Sequence, residues 1–341
     1  MLDKDFDIVY VAAPANQASG GPELLHQLVA ALRQNGVKAY IYYYRRIPGR
    51  DPIHQEFAGY GNLYVDTIDD SPKNILIAPE TQTDILDNYT WLKKTIWWMS
   101  VDFYYKSLGF SIKRHKMLKN KWLRYLLLLG KSSKTKRYFF FSKDGTESYV
   151  HFVQSEYARG HLLEKGIHSG SILFLSDYLN SSFISLSVQA LKVEKKDIVA
   201  FNPKKGAEFT NKLRASMPDV EFVPIENMSR AQVIELLSTA KVYIDFGEHP
   251  GKDRIPREAC ILGACILTGR DGSAAYDVDV PIPSDYKYKR HPNSISEIDI
   301  KIRQCFADYH LLCKDFDDYR EMIRNEEARF VRDVRQIFVN T

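Results

Sequence analysis

The sequence predicts an α/β protein made of two doubly wound, Rossmann-like domains in tandem. Three observations carry this prediction. Short apolar strands alternate with amphipathic helices, and a strand, crossover helix and strand in that order pair in parallel. The alternation lapses over 175–197, where periodicity is weak, and then begins again. The chain of 341 residues is long enough for two cores. The expected domains are 1–178, with a basic insertion at about 103–148, and 179–341, which includes the terminal helices. A ligand site is expected in the cleft between them.

In the first domain, "DIVYVAA" is a short β-rich apolar run, and "PANQASGGPE" is a Gly-rich turn with Pro22 suited to the first position of a helix. Leu24, Leu25, Leu28 and Leu32 form an apolar helical stripe that Gly36 closes. Strands follow at "KAYIYYY", "NILIAPE", "KTIWWMSVD" and "YVHFVQS", and a short helix at "SEYARGHLLEKGI" ends at Gly166. The stretch 175–197 reads as an interdomain linker. The second series opens with the strand "DIVAFNPKKG", a helix near Glu208–Ser216 and the strand "VEFVPI". Ser229 and Gln232 form a capping box for the helix "RAQVIELLSTA". The strand "KVYIDF", the helix "PREACILG" and the strand "CILTG" come next, and 297–339 is rich in amphipathic helix signals.

The hydrophobic fraction of 45% and charged fraction of 26% are those of a soluble globular protein. No apolar run is long enough to span a bilayer, and "MLDKDFDIVY" lacks a signal-peptide pattern. Cys260, Cys265, Cys305 and Cys313 show no metal-binding spacing. They read as reduced thiols in a cytoplasmic protein, and no metal site is expected.

Open parallel sheets bind ligands beyond the carboxyl ends of their strands. Three such ends carry suggestive residues. Gly20 and Gly21 precede a helix N-terminus, where free N–H groups and the dipole favour an anion; a plain tight turn explains them equally well. In "FNPKKG", Asn202, Lys204, Lys205 and Gly206 form either a solvated turn or a phosphate site. The third end, "GEHPGKDRIPREACILGACILTGRDGSA", crowds Glu248, His249, Lys252, Asp253, Arg254, Arg257 and Glu258 between an apolar strand and an apolar helix. Charges hemmed in this way favour a polar ligand site over a solvated loop. Lys252 and Arg254 suit a diphosphate, Glu258 a ribose hydroxyl pair, and the turn at Gly272 and Ser273 offers backbone donors. Glu80 and Asp102 follow apolar strands in the first domain and read either as a general base or as helix caps.

"IPREACILGACILTGRDGSA" resembles the donor-binding signature of GT-B glycosyltransferases, matching it at Pro256, Glu258, Ala259 and Gly263. Gly20 and Gly21 resemble the acceptor-side loop of that family, and Lys205–Gly206 its Lys-Gly pair near the donor phosphates. The likeness is to GT4-type enzymes of surface polysaccharide synthesis and spans most of the chain. It implies transfer of a sugar from a nucleotide-sugar donor to a glycan or lipid-linked acceptor, with no bound metal, and a last helix that crosses back onto the first domain. Two departures stand out. The paired glutamates of many retaining members have seven residues between them, whereas nine residues lie between Glu248 and Glu258. The His249–Pro250 pair is similar to a motif of CMP-sugar-using transferases.

Rival classes leave weaker traces. Asp277–Asp279 mimics a metal-binding Asp-x-Asp pair but reads as a turn at a strand edge. No G-x-G-x-x-G follows the first strand, which disfavours a dehydrogenase. The remaining alternative is a non-catalytic sugar- or nucleic-acid-binding protein with a basic arm. That arm needs its own reason. Twelve Lys and Arg lie between Asp102 and Asp144 with no acidic residue among them, and without them acidic residues would outnumber basic ones. Within it, Leu118, Trp122, Tyr125, Leu126 and Leu129 share one helical face. The segment 106–143 therefore reads as an arm for an anionic membrane surface, with nucleic acid disfavoured, on a cytoplasmic protein peripheral to the inner face of the membrane.

Overall fold

A computed structural model of the chain describes residues 4–107 and 149–339. These form two compact units: Met1–Asp177 with Ala328–Thr341, and Tyr178–Glu327.

The first unit is built on strands β1 (Ile8–Pro14), β2 (Ala39–Tyr44), β3 (Tyr64–Val65), β4 (Asn74–Pro79), β5 (Lys93–Trp98), β6 (Val150–Val153) and β7 (Ile172–Phe174). Their order across the sheet is β3-β2-β1-β4-β5-β6-β7, and every pairing is parallel. β1 and β4 are buried along almost their whole length, so they read as unbroken apolar runs rather than alternating ones. The helix Gly20–Gln34 buries Leu24, Leu25, Leu28 and Leu32, the predicted stripe. Another cluster joins Tyr10, Ala12, Leu76, Ala78, Ile96 and Trp98, alternate residues of β1, β4 and β5.

The second unit contains β8 (Lys196–Phe201), β9 (Glu221–Pro224), β10 (Ala240–Asp245), β11 (Cys265–Gly269) and β12 (Lys287–Tyr288), ordered β12-β11-β10-β8-β9 and again all parallel. In each sheet the strand order reverses once, between β1 and β4 in the first and between β8 and β10 in the second. Such a reversal splays the two following loops to opposite faces and opens a crevice between them.

Two expectations need correction. The stretch 175–197 is not a bare linker, because Ser181–Ala190 is a helix capped by Asn180 Oδ1 and burying Phe183, Ser187 and Ala190 along one face. Its polar serines hide that spacing from a hydropathy reading. The second unit ends at Glu327 rather than at 341, because the last helix crosses back onto the first, as the resemblance to GT-B enzymes implies. The last helix, Glu326–Phe338, starts in the second unit and ends in the first, where Phe338 packs on Phe6 and Phe152 and Asp333 accepts from Ser176 N at 2.9 Å. Apart from the first residues of its insertion, the basic arm lies outside the described residues.

Candidate functional site

The reversal point of the second sheet lies beyond β8 and β10, and the sequence places its most unusual loops there. After β8, Asn202 shapes the turn: its Oδ1 accepts from Lys204 N at 3.0 Å and its carbonyl from Lys205 N at 3.2 Å. Gly206 then caps the helix Ala207–Ser216 in the left-handed region, at φ +58°. A side chain at 206 would meet the Phe246 carbonyl oxygen at 2.2 Å, and one at 247 would meet Lys205 Cβ at 2.8 Å. Two glycines thus let the loops after β8 and β10 touch backbone to backbone.

The β10 loop is organised by Asp245, the last strand residue. Its Oδ1 accepts from Gly247 N at 2.9 Å and its Oδ2 from the Tyr243 hydroxyl at 3.2 Å. His249, buried and at φ +40°, donates from Nε2 to the Asp245 carbonyl at 3.1 Å. Its Nδ1 lies 3.0 Å from Asp253 Oδ2, a close ion pair that lacks the alignment of a hydrogen bond. The other Asp253 oxygen is 2.7 Å from Lys205 Nζ. The predicted residues Lys205, His249 and Asp253 therefore form one connected group. Gly272 and Ser273 close it from the β11 side. Ser273 N donates to the His249 carbonyl at 2.9 Å and its Oγ to the Gly251 carbonyl at 2.6 Å. Gly272 permits this, since a Cβ there would sit 2.0 Å from the His249 oxygen.

Burial opposes every charge in this group, and the partners decide the outcome. For Asp253, burial alone would raise the pKa, but Lys205 and His249 overcome it and hold the carboxyl at about 2. For His249, burial depresses the pKa, yet Asp245 and Asp253 outweigh burial and the opposing Lys205 and leave it raised.

Of the remaining predicted residues, Lys252 is nearly buried and tied to Glu326, while Arg254 and Glu258 are half-buried in the helix Arg254–Ile261. Lys204 and Glu248 are exposed. Asp245 and Glu326 were not among the predicted site residues, and Arg257 belongs to the predicted charged cluster but had no role assigned to it. An acid ending an apolar strand could have flagged Asp245. Glu326 gave no local signal, because its partners lie about seventy residues away in sequence.

The carboxylate and imidazole atoms of Asp245, His249 and Asp253 lie within 4.8 Å of one another, the spacing of a metal-binding trio. The chemistry fits less well: an ammonium already sits on Asp253, and a metal there would face that charge at close range. Asp277, in the Asp-x-Asp sequence, pairs with Lys287 Nζ at 2.7 Å.

In the first unit, the chain beyond β1 and β4 carries its own polar residues. Gly20 and Gly21 open the helix Gly20–Gln34. Glu80 directly follows β4 and is buried; its Oε2 accepts from Met99 N at 3.2 Å. Burial raises its pKa to about 8 against the pull of that amide and its neighbours. Asp102, also buried, lies in the first turn of the helix Val101–Ser107 and accepts from the Tyr157 hydroxyl at 3.1 Å. His26 is structural, its Nδ1 2.7 Å from the Pro22 carbonyl and its Nε2 2.8 Å from the Tyr43 hydroxyl. The four cysteines are free, with Cys260, Cys265 and Cys305 buried and Cys313 half-buried.

No protein-family model matches this sequence, and no curated protein matches it by sequence. Solved structures do match in fold. Sucrose-phosphate synthase from Thermosynechococcus elongatus aligns with a TM-score of 0.65 at 12% identity, over 97% of this chain and 98% of that one. HepE of Anabaena in complex with UDP and glucose gives 0.60 at 11% identity, over 96% and 98%. WaaG, a glycosyltransferase involved in lipopolysaccharide biosynthesis, gives 0.57 at 10% identity, over 96% and 99%. With both sheets parallel and near-complete coverage of these structures, the chain has the GT-B fold.

Proposed function

We propose that this GT-B chain is a glycosyltransferase that moves a sugar from a nucleotide-sugar donor to a glycan or lipid-linked acceptor in surface polysaccharide synthesis. The observation that carries the reading is the meeting of Lys205, His249 and Asp253 where the strand order of the second sheet reverses. A half-buried lysine ammonium beside two helix N-termini suits the departing nucleoside diphosphate, whose charge grows in the transition state. Lys205 supplies that charge from the protein, so the mechanism needs no metal. Glu258 serves as acceptor for ribose hydroxyls, and Gly272 and Ser273 fix the loop that faces them. Structures of the same fold were obtained with UDP and with UDP-glucose, which supports a donor of this class.

Glu80 and Asp102 are the proposed acceptor-side carboxylates, and substitution distinguishes them. Glu80 keeps its proton until about pH 8, so base catalysis by Glu80 gives a rate that climbs through neutral pH to that value. If Asp102 is the base, Asp102→Asn removes most of the activity and Glu80→Gln leaves most of it.

Thermal-shift screening against UDP-, GDP-, dTDP- and CMP-linked sugars tests the donor assignment. At least one should raise the melting temperature by several degrees, and Lys205→Ala should abolish the response. Silence across the whole panel sinks the proposal. For the arm at 106–143, we propose docking to anionic membrane. Co-sedimentation with anionic but not neutral vesicles, weakened by salt and by Lys119, Lys121 and Arg124 changed to Glu, is the expected result.

A further inference from the structure

Beside the Lys205 group, three more charged side chains meet inside the second unit. Glu326 is 1% exposed; its Oε2 accepts from Arg257 Nη1 at 2.7 Å, and its Oε1 lies 2.7 Å from Lys252 Nζ. Arg257 is wholly buried and spends its other nitrogens on backbone: Nε donates to the Asp253 carbonyl and Nη2 to the Lys252 carbonyl, each at 3.1 Å. One guanidinium therefore ties two consecutive loop carbonyls to a carboxylate far along the chain. The geometry uses the planar fork of arginine, which an ammonium cannot reproduce. A carboxylate is costly to bury without such partners, and breaking a buried pair of this kind is more damaging than never having made it.

The two carbonyls belong to residues at the centre of the proposed phosphate site. Asp253 carries the carboxylate that holds both Lys205 and His249, and Lys252 is the neighbouring lysine of the same loop as Asp253. Both stand directly before the helix Arg254–Ile261, so their backbone decides where its first N–H groups point.

We infer that Glu326 is a positioning residue for the phosphates of the bound nucleotide. Through Arg257 it fixes the Lys252–Asp253 backbone, and through Asp253 it sets the place of Lys205. These contacts end on the Lys252–Asp253 backbone and on Lys205, so the expected effect falls on the phosphates. The inference rests on the reading that this unit binds a nucleotide donor.

The test is calorimetric titration of the full chain with UDP, GDP and ADP, and with uridine, guanosine and adenosine up to millimolar concentration. Wild type is compared with Glu326→Gln, which keeps shape and loses charge, and Arg257→Lys, which keeps charge and loses the fork. For whichever diphosphate the wild type binds, both variants should lose at least tenfold in affinity, while the matching nucleoside changes less than twofold. Melting curves without ligand report whether each variant folds. If Glu326→Gln does not fold, Arg257→Lys carries the comparison. Equal losses for diphosphate and nucleoside, unchanged binding of both, or failure of both variants to fold would overturn the inference, because the trio would then be purely structural or idle. A wild type that binds none of the diphosphates overturns the nucleotide reading itself, which is a separate result.

Discussion

Glu80 shows how one buried carboxyl ties stability to pH. Its folded pKa is raised to about 8 from an ordinary 4.5, so the folded state holds a proton that the unfolded chain has already released. Stability from this group is complete below the unfolded value and drains away as pH rises towards 8. Glu80→Gln should therefore melt close to wild type near pH 4.5 and distinctly above it at pH 8.5, a gap of up to a few kcal/mol. Parallel melting curves across that range would sink the assignment. Asp253 works the other way, since its depressed pKa of about 2 gives stability that is present above the ordinary aspartate value and lost as pH falls. His249, raised, contributes below its ordinary value and loses that contribution as pH rises through its folded pKa.

Among the described residues, every non-glycine residue with positive φ lies in a loop just past the carboxyl end of a strand. Asn16 follows β1, Arg45 β2, Asn227 β9 and His249 β10. Strained backbone persists only where its surroundings hold it, and such places cluster at binding edges. The left-handed glycines divide into two kinds. Gly36 and Gly206 are both left-handed, but a side chain at 36 meets nothing within 4 Å, whereas one at 206 meets the Phe246 backbone at 2.2 Å. Gly36→Ala should cost about 1–2 kcal/mol, the price of the conformation alone. Gly206→Ala should cost clearly more and abolish nucleotide-dependent stabilisation, because the β8 and β10 loops must separate. Urea unfolding of the two variants side by side decides it; equal costs would mean the loops part freely.

On the scale of the molecule, the chain leaves the first unit after Asp177 and returns to it at Ala328. The returning segment is anchored by Phe330, Val334, Ile337 and Phe338, all buried. Phe338→Ala should destabilise the first unit by about 3–5 kcal/mol, the usual range for a buried phenylalanine. Hydrogen exchange followed by mass spectrometry should show lost protection in β6, which carries Phe152, with β10 and β11 unchanged. A uniform loss across both units would contradict the assignment of this segment to the first.

The sequence by itself determined the two α/β series, the stripe of the first helix, the Ser229 capping box and the loops that carry the candidate site. Each depends on contacts within a few residues, where periodicity, turn chemistry and charge crowding are written directly. The helix Ser181–Ala190 was hidden because its buried face is partly serine. The return of Ala328–Thr341 to the first unit was implied only by the family resemblance, since helical amphipathicity does not say which core the apolar side faces. Lys205, His249 and Asp253 could be named from sequence, but not their union. Only the strand order β11-β10-β8 brings the 202–206 turn against the 246–253 loop, and only the tertiary structure carries Glu326 to Arg257. Hydrogen bonds and ion pairs act over a few ångströms in space, and for residues distant in sequence that distance is set by the sheet, not by the spacing along the chain.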